Sequence, residues 1–184
     1  MSTQILLKGT SAGPASTGLF AQTVDSPPIT GTTEASLVNG GVGSLSVPAN
    51  GFSVGDSFRA DMSGIMDAKN NETLRIKVKA GSVVLLDSGV QNLGSSIIDD
   101  VWVLSIDFTI RQIGVAGVAE LAAAGKFTYL KVSNVTIQGF GFSTVNNTTF
   151  DTTISNTLDI TATWGSNDPD DSIYSQTFIL TKIY

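Results

Sequence analysis

Apolar and polar residues alternate along several stretches of this chain. A period of two is the mark of a strand that buries one face. From Ser57 onward, Phe58, Ala60, Met62, Gly64 and Met66 alternate with Ser57, Arg59, Asp61, Ser63 and Ile65. Lys69-Asn70-Asn71 supplies a turn, after which Leu74, Ile76 and Val78 alternate against Arg75, Lys77 and Lys79. Ala80-Gly81 then turns the chain into Ser82–Asp87. The strongest run, Val101 to Gln112 behind Asp99-Asp100, sends Trp102, Leu104, Ile106, Phe108 and Ile110 one way and Ser105, Asp107, Thr109 and Arg111 the other. Its length exceeds the usual strand and predicts a tall sandwich with this strand near its centre.

The same alternation closes the chain. Leu158, Ile160, Ala162 and Trp164 face one way, and Thr157, Asp159, Thr161 and Thr163 the other. A polar break, Gly165 to Ser172, separates them from a second run, Ile173 to Tyr184. The pattern predicts a closing hairpin, with the chain ending inside its second strand. In that strand Phe178, Leu180 and Tyr184 are expected inside, because an untied chain end frays. Ile173, Ile179 and Ile183 are then left outside unless another layer or subunit covers them. Apolarity on both faces makes Ile173, Ile179, Ile183 and Tyr184 the candidate oligomer-interface residues.

Elsewhere the signals are weaker. Glu120-Leu121-Ala122-Ala123-Ala124 has helix propensity, yet it is short and boxed between Gly117 and Gly125, so strand plus turn is expected. Phe127 to Val132 and Val135 to Gln138 continue the β pattern. Gly139-Phe140-Gly141-Phe142 suits close approach of backbones, and Asn146-Asn147 reads as a loop. Before Gly51 the apolar patches Gln4–Leu7 and Leu19–Val24 are separated by Gly9–Pro14. Asp25-Ser26-Pro27-Pro28 favours extended backbone, and Asn39-Gly40-Gly41 turns into Val42–Val47. Residues 1–50 are therefore expected to form an extended N-terminal arm. It would lie on its own sandwich, a neighbouring subunit or another protein, with a sandwich domain over 51–184.

Composition narrows the class. With 184 residues, 41% hydrophobic and only 14% charged, the chain has Thr, Ser, Asn and Gly where most proteins carry charge, which suits pleated surfaces and turns. Ten basic and 16 acidic residues give a net charge of −6. Arg75, Lys77 and Lys79 read as the wet side of a strand, so no nucleic-acid partner is expected. The absence of His and Cys excludes imidazole and thiolate metal sites, and triads built on them. No signal-peptide pattern or transmembrane-length apolar span is found, so a soluble, cytoplasmically made product with no membrane partner is expected.

Candidate chemistry is sparse. The loop Asn167–Asp171 has the oxygen-rich makeup of a calcium site, which makes Asp168, Asp170 and Asp171 weak metal candidates. It lacks the Gly and distant Glu of an EF-hand and reads as a solvated tip. Asp99 and Asp100 are adjacent on a strand and point to opposite faces. Asn71, Asn134, Asn146 and Asn147 fit the glycosylation pattern but read as turn and loop residues. Trp102 and Trp164 fall on core faces, which leaves neither for a carbohydrate platform. No catalytic residue and no cofactor is expected.

Several segments carry a resemblance. They are Gly43-Ser44-Leu45-Ser46-Val47-Pro48-Ala49-Asn50-Gly51-Phe52, Val54-Gly55-Asp56-Ser57-Phe58 and Asn70-Asn71-Glu72-Thr73-Leu74-Arg75-Ile76-Lys77-Val78. Toward the end they are Val145-Asn146-Asn147-Thr148, Asn156 to Trp164 and Phe178 to Tyr184. Together they resemble capsid-surface, spike and tail-fibre head proteins of large DNA viruses and phages. The resemblance implies an antiparallel β-sandwich of jelly-roll type, commonly trimeric, with a structural or host-contact role and no catalytic residue. The expectation is thus an all-β virion surface protein, made in the host cytoplasm. It would assemble with itself and other virion proteins. The alternative is a module that binds a host receptor or a glycan.

Overall fold

The computed structural model of the chain describes residues 17–94, 96–131 and 136–184, apart from the side chains of 147–149. Its strands in chain order are β1 (Thr17–Gln22), β2 (Ala35–Ser36), β3 (Gly41–Gly43), β4 (Ser46–Val47), β5 (Ser57–Ala68), β6 (Thr73–Ala80) and β7 (Val83–Asp87). They continue with β8 (Gln91–Asn92), β9 (Ile97–Ile113), β10 (Val118–Lys131), β11 (Thr136–Asp151), β12 (Asn156–Trp164) and β13 (Ser172–Lys182). One seven-stranded sheet runs β11-β10-β9-β5-β13-β1-β3. The other runs β2-β12-β6-β7, with β4 beside β12 and β8 beside β6. The sheets pack face to face as an antiparallel β-sandwich. The pairs β5–β13 and β6–β12 are nested in sequence on opposite sheets, while β9, β10 and β11 form a meander.

The predicted inward faces are the core. Phe58, Ala60, Met62 and Met66 on β5, Leu74, Ile76 and Val78 on β6, and Trp102, Leu104, Ile106, Phe108 and Ile110 on β9 are all buried. Strand β9 is longer at both ends than the predicted run and lies inside its sheet, between β5 and β10. The alanine-rich passage is strand, as expected, with one 3-10 turn at Val115–Gly117 before it. Residues 17–50 lie on their own sandwich. Strand β1 zips between β13 and β3, β2 and β4 pair with β12, and Phe20, Ile29 and Leu37 enter the core. Gln4–Leu7, Gly9–Pro14, Val132, Asn134 and Val135 lie outside the described residues.

Three expectations about the strands and their connections need correction. The closing hairpin does not form: β12 pairs with β2, β4 and β6, whereas β13 pairs with β5 and β1. Each strand has an apolar face that must cover the inter-sheet core, and Gly165–Asp171 carries the chain from one sheet to the other. Ile173 is fully buried, because β13 bulges between Ser175 and Thr177 where β5 advances only from Gly64 to Ser63. The extra residue flips parity, so Ile173 and Ser175 point inward ahead of the bulge and Phe178 and Leu180 after it. Asn146 and Asn147 lie within β11 and make no loop. Four steps of β11 there oppose two of β10, and Asn146 takes a φ of 55°.

Gly64 sits at the β13 bulge, and a Cβ there would lie 1.9 Å from the Tyr174 carbonyl oxygen. Backbone cannot yield as a side chain can, so Gly64→Ala must force β5 and β13 apart. We expect a loss of about 1–3 kcal/mol, the usual range for overpacking, read as a lower urea midpoint. Gly139 is similar, with a Cβ position 2.2 Å from the Phe127 carbonyl oxygen. This is the close backbone approach expected for that segment.

Candidate functional site

Antiparallel register arranges the outward side chains of the seven-stranded sheet in rows. Most rows are polar and internally satisfied. Arg59 Nε donates to Asp107 Oδ1 at 2.8 Å, and Ser105 Oγ donates to Asp61 Oδ1 at 2.6 Å. The Ser57–Thr109 and Ser63–Thr177 hydroxyl pairs stand at 2.8 and 2.6 Å. One row differs. Tyr174 opposes Ile65, Ile65 opposes Val101, and Leu130, one step past the Tyr129–Trp102 pair, opposes Ile137. Five consecutive strands thus present apolar side chains on the same line, with Val103 in the next row. Val101, Val103 and Ile137 are 46%, 42% and 69% exposed.

A bare sheet face normally alternates to polar residues outside. An apolar band rimmed by paired polar residues is what a protein contact surface looks like. Of the four sequence candidates, Ile179 is on this same outer face, opposite Asp61, and is 52% exposed. Ile183 and Tyr184 are exposed at the far end of β13, with Tyr184 Cε1 3.5 Å from where a Gly55 Cβ would stand. Tyr184 was expected inside and is 64% exposed, because its strand ends at Lys182 and only its backbone is tied, to Ser57. Ile173 is core and takes no part.

No protein-family model matches the chain, and no curated protein matches it significantly.

The acidic loop is more than a solvated tip. Lys69 Nζ donates to Ser166 Oγ at 2.6 Å and lies 3.1 Å from both Asp168 Oδ2 and Glu72 Oε2. Asp171 is fully buried, and its Oδ1 accepts the Lys69 backbone N–H at 2.9 Å. Asp168 Oδ1 accepts the N–H of exposed Asp170. The ammonium of Lys69 thus takes the place a bound cation would hold. Among the described residues, no group of three or more Asp or Glu is disposed to bind a metal. Burial pushes the Glu72 carboxyl up, but hydrogen bonds from Ser166 Oγ, the Thr73 N–H and Lys69 outweigh it and hold it at about 2. Burial, and then the adjacent Glu72 charge, push Asp171 the other way, above its ordinary value, against a lowering bond from the Lys69 N–H.

The predicted wet basic stripe pairs off as well. Arg75 bonds Asp87, while Lys77 and Lys79 both reach Glu34, whose carboxyl these two lysines hold at about 2. Trp102 and Trp164 are core, with indole N–H groups donating to the carbonyls of Ile65 and Tyr174 and of Ile29 respectively.

Proposed function

We propose that this chain is a non-enzymatic structural protein of a virus particle surface, a capsid decoration protein, spike or fibre head. It assembles as a homo-oligomer, in the simplest case a trimer. The observation that carries the assembly is the apolar row Tyr174–Ile65–Val101–Leu130–Ile137 across the outer face of the seven-stranded sheet. A second copy of the chain is the occupant this face suits. Arg59 with Asp107 and Ser63 with Thr177 are already paired within one chain, so covering them needs no new polar partner, and apolar contact supplies the gain. The virion role rests on the resemblance of the segments around residues 43–78 and 145–184 to surface proteins of large DNA viruses and phages.

Mass measurement in solution is the test. The unaltered chain is expected to be an oligomer, and Ile65→Lys with Val103→Lys a folded monomer. A monomeric unaltered chain, or an oligomer indifferent to both substitutions, overturns the assembly. The virion role is tested by particles lacking the protein, which should lose surface density, mechanical stability or host adsorption. Particles unchanged in all three would exclude it.

A further inference from the structure

At the end of the sandwich away from the Lys69 cluster, the two sheets do not close on each other. A cavity of about 250 Å³ lies between them, where β5, β10 and β12 begin and β6, β9, β11 and β13 end. Well-packed interiors carry few voids larger than a water molecule, so a space of this size has to be explained. Its wall is mostly apolar and includes four aromatic rings, Phe52, Phe58, Phe108 and Phe150. Phe52 meets Phe150 and Phe58 edge-on at 5.3 and 6.0 Å, and Phe58 stacks on Phe108 at 4.9 Å. The wall is thus built of rings packed both stacked and edge-on, the two geometries in which aromatic groups attract.

The charges at the rim decide what kind of molecule fits. Asp56 Oδ1 lies 2.7 Å from Lys182 Nζ, and Asp56 Oδ2 accepts the Ser53 N–H at 2.9 Å. Lys182 also stands over the Phe58 ring at 5.9 Å. Lysine and aspartate satisfy each other, so an ionic head group would have to break that pair to be recognised. A neutral ligand would not. The roof over the cavity, residues 44–52, is held to the body by a two-residue ladder between β4 and β12, by backbone N–H donations from Ser44 to Leu19, Leu158 to Leu45 and Asn50 to Thr152, and by the Ser46–Thr157 hydroxyl pair.

We propose that this cavity is a binding site for a small uncharged apolar molecule, a fused aromatic ring system or compact hydrocarbon. An apolar cavity of roughly 150 Å³ stays dry and takes up benzene, so this one has room for about ten heavy atoms. The site is independent of the assembly face, which lies on the outside of the seven-stranded sheet.

Naphthalene and indole are suitable probes, titrated into the full chain by calorimetry and followed by NMR at Leu121 and Leu180. Saturable one-to-one binding that shifts both resonances is expected. Ala80→Phe, which projects a ring into the cavity from the end of β6, should weaken binding about tenfold or more. Leu121→Phe, from the opposite sheet, should do the same and stands in if Ala80→Phe does not fold. Failure of the unaltered chain to bind either probe overturns the site. So does binding indifferent to a folded cavity-filling variant. Octanoate bound more tightly than naphthalene would overturn the uncharged class and make Lys182 an anchor for a carboxylate.

Discussion

Trp102→Ala should be the most damaging single substitution in the core, lowering stability by about 3–5 kcal/mol, the range for truncating a large buried aromatic. Trp102 is fully buried beside Gly64 and Tyr129, and its ring stacks on Phe127 at 5.6 Å. Its indole N–H lies 3.1 Å from the Ile65 carbonyl and 3.2 Å from the Tyr174 carbonyl. Those two residues are register partners on β5 and β13, next to the bulge. The side chain therefore fills the core and also ties two strands where their ladder is interrupted. Trp102→Phe separates the roles: it keeps most of the volume and loses the N–H, and should cost about 1–2 kcal/mol. Urea unfolding of both variants checks this. An alanine variant no worse than the phenylalanine one would show that the ring does not fill the core.

The same row bears on the proposed assembly. Ile65, Val101 and Tyr174 occupy the outer positions of the strands whose inner positions hold Trp102 and Met66. Weakening the core here would distort the outer apolar row, so a Trp102 variant that also dissociates is not evidence about the contact surface. Lysine at Ile65 or Val103 changes only the outside and separates the two effects.

What could be read from the sequence follows from what is local. Alternation marked the inward faces of β5, β6, β9 and β12, because one buried face imposes a period of two wherever the strand ends up. Partner choice was not legible. Leu158–Trp164 and Phe178–Leu180 look alike as apolar faces, and nothing in Gly165–Ser172 states whether they join one sheet or cross between two. The bulge at Ser175–Thr177 was equally silent, and it alone moved Ile173 from the outside to the core. The outer row did leave a trace. Ile65 stands at a wet-face position among Ser57, Arg59, Asp61 and Ser63, and Val101 and Val103 have the parity of Ser105 and Asp107. Single apolar residues of that kind mean little on one strand. Register placed Ile65 beside Val101, and that made a band. Burial of Asp171 depends on Lys69 and Glu72, about a hundred residues away, so the loop alone read as exposed.

The last expected result concerns that cluster and is a change in stability with pH. Glu72→Ala removes the one buried carboxylate that accepts from Ser166, the Thr73 backbone and Lys69 together. Lys69 is about a third exposed and keeps Asp168, so the cost falls on the Ser166 hydroxyl and the Thr73 N–H left without an acceptor, about 1–3 kcal/mol. The two carboxyls then work in opposite directions. Glu72 has a folded value of about 2 against an ordinary 4.5. Its contribution is full above about pH 4.5 and is lost as pH falls toward 2. Asp171 is raised above its ordinary 3.8, so its contribution is present in acid and fades as pH rises through the folded value. A proton held on the unpartnered Asp171 Oδ2 and donated to Glu72 would account for both directions, and this is the arrangement that substitutions at the two positions test. Asp171→Asn mimics that protonated state: its amide oxygen keeps the Lys69 N–H, and its amide nitrogen can donate to Glu72. The variant should therefore match or exceed the unaltered chain at pH 7 and lose the decline on the alkaline side, whereas Glu72→Gln should be destabilised there. Urea midpoints at pH 3, 5, 7 and 8 decide it. An Asp171→Asn variant as unstable at pH 7 as Glu72→Gln would mean that Asp171 works as a charge, and that no proton is shared.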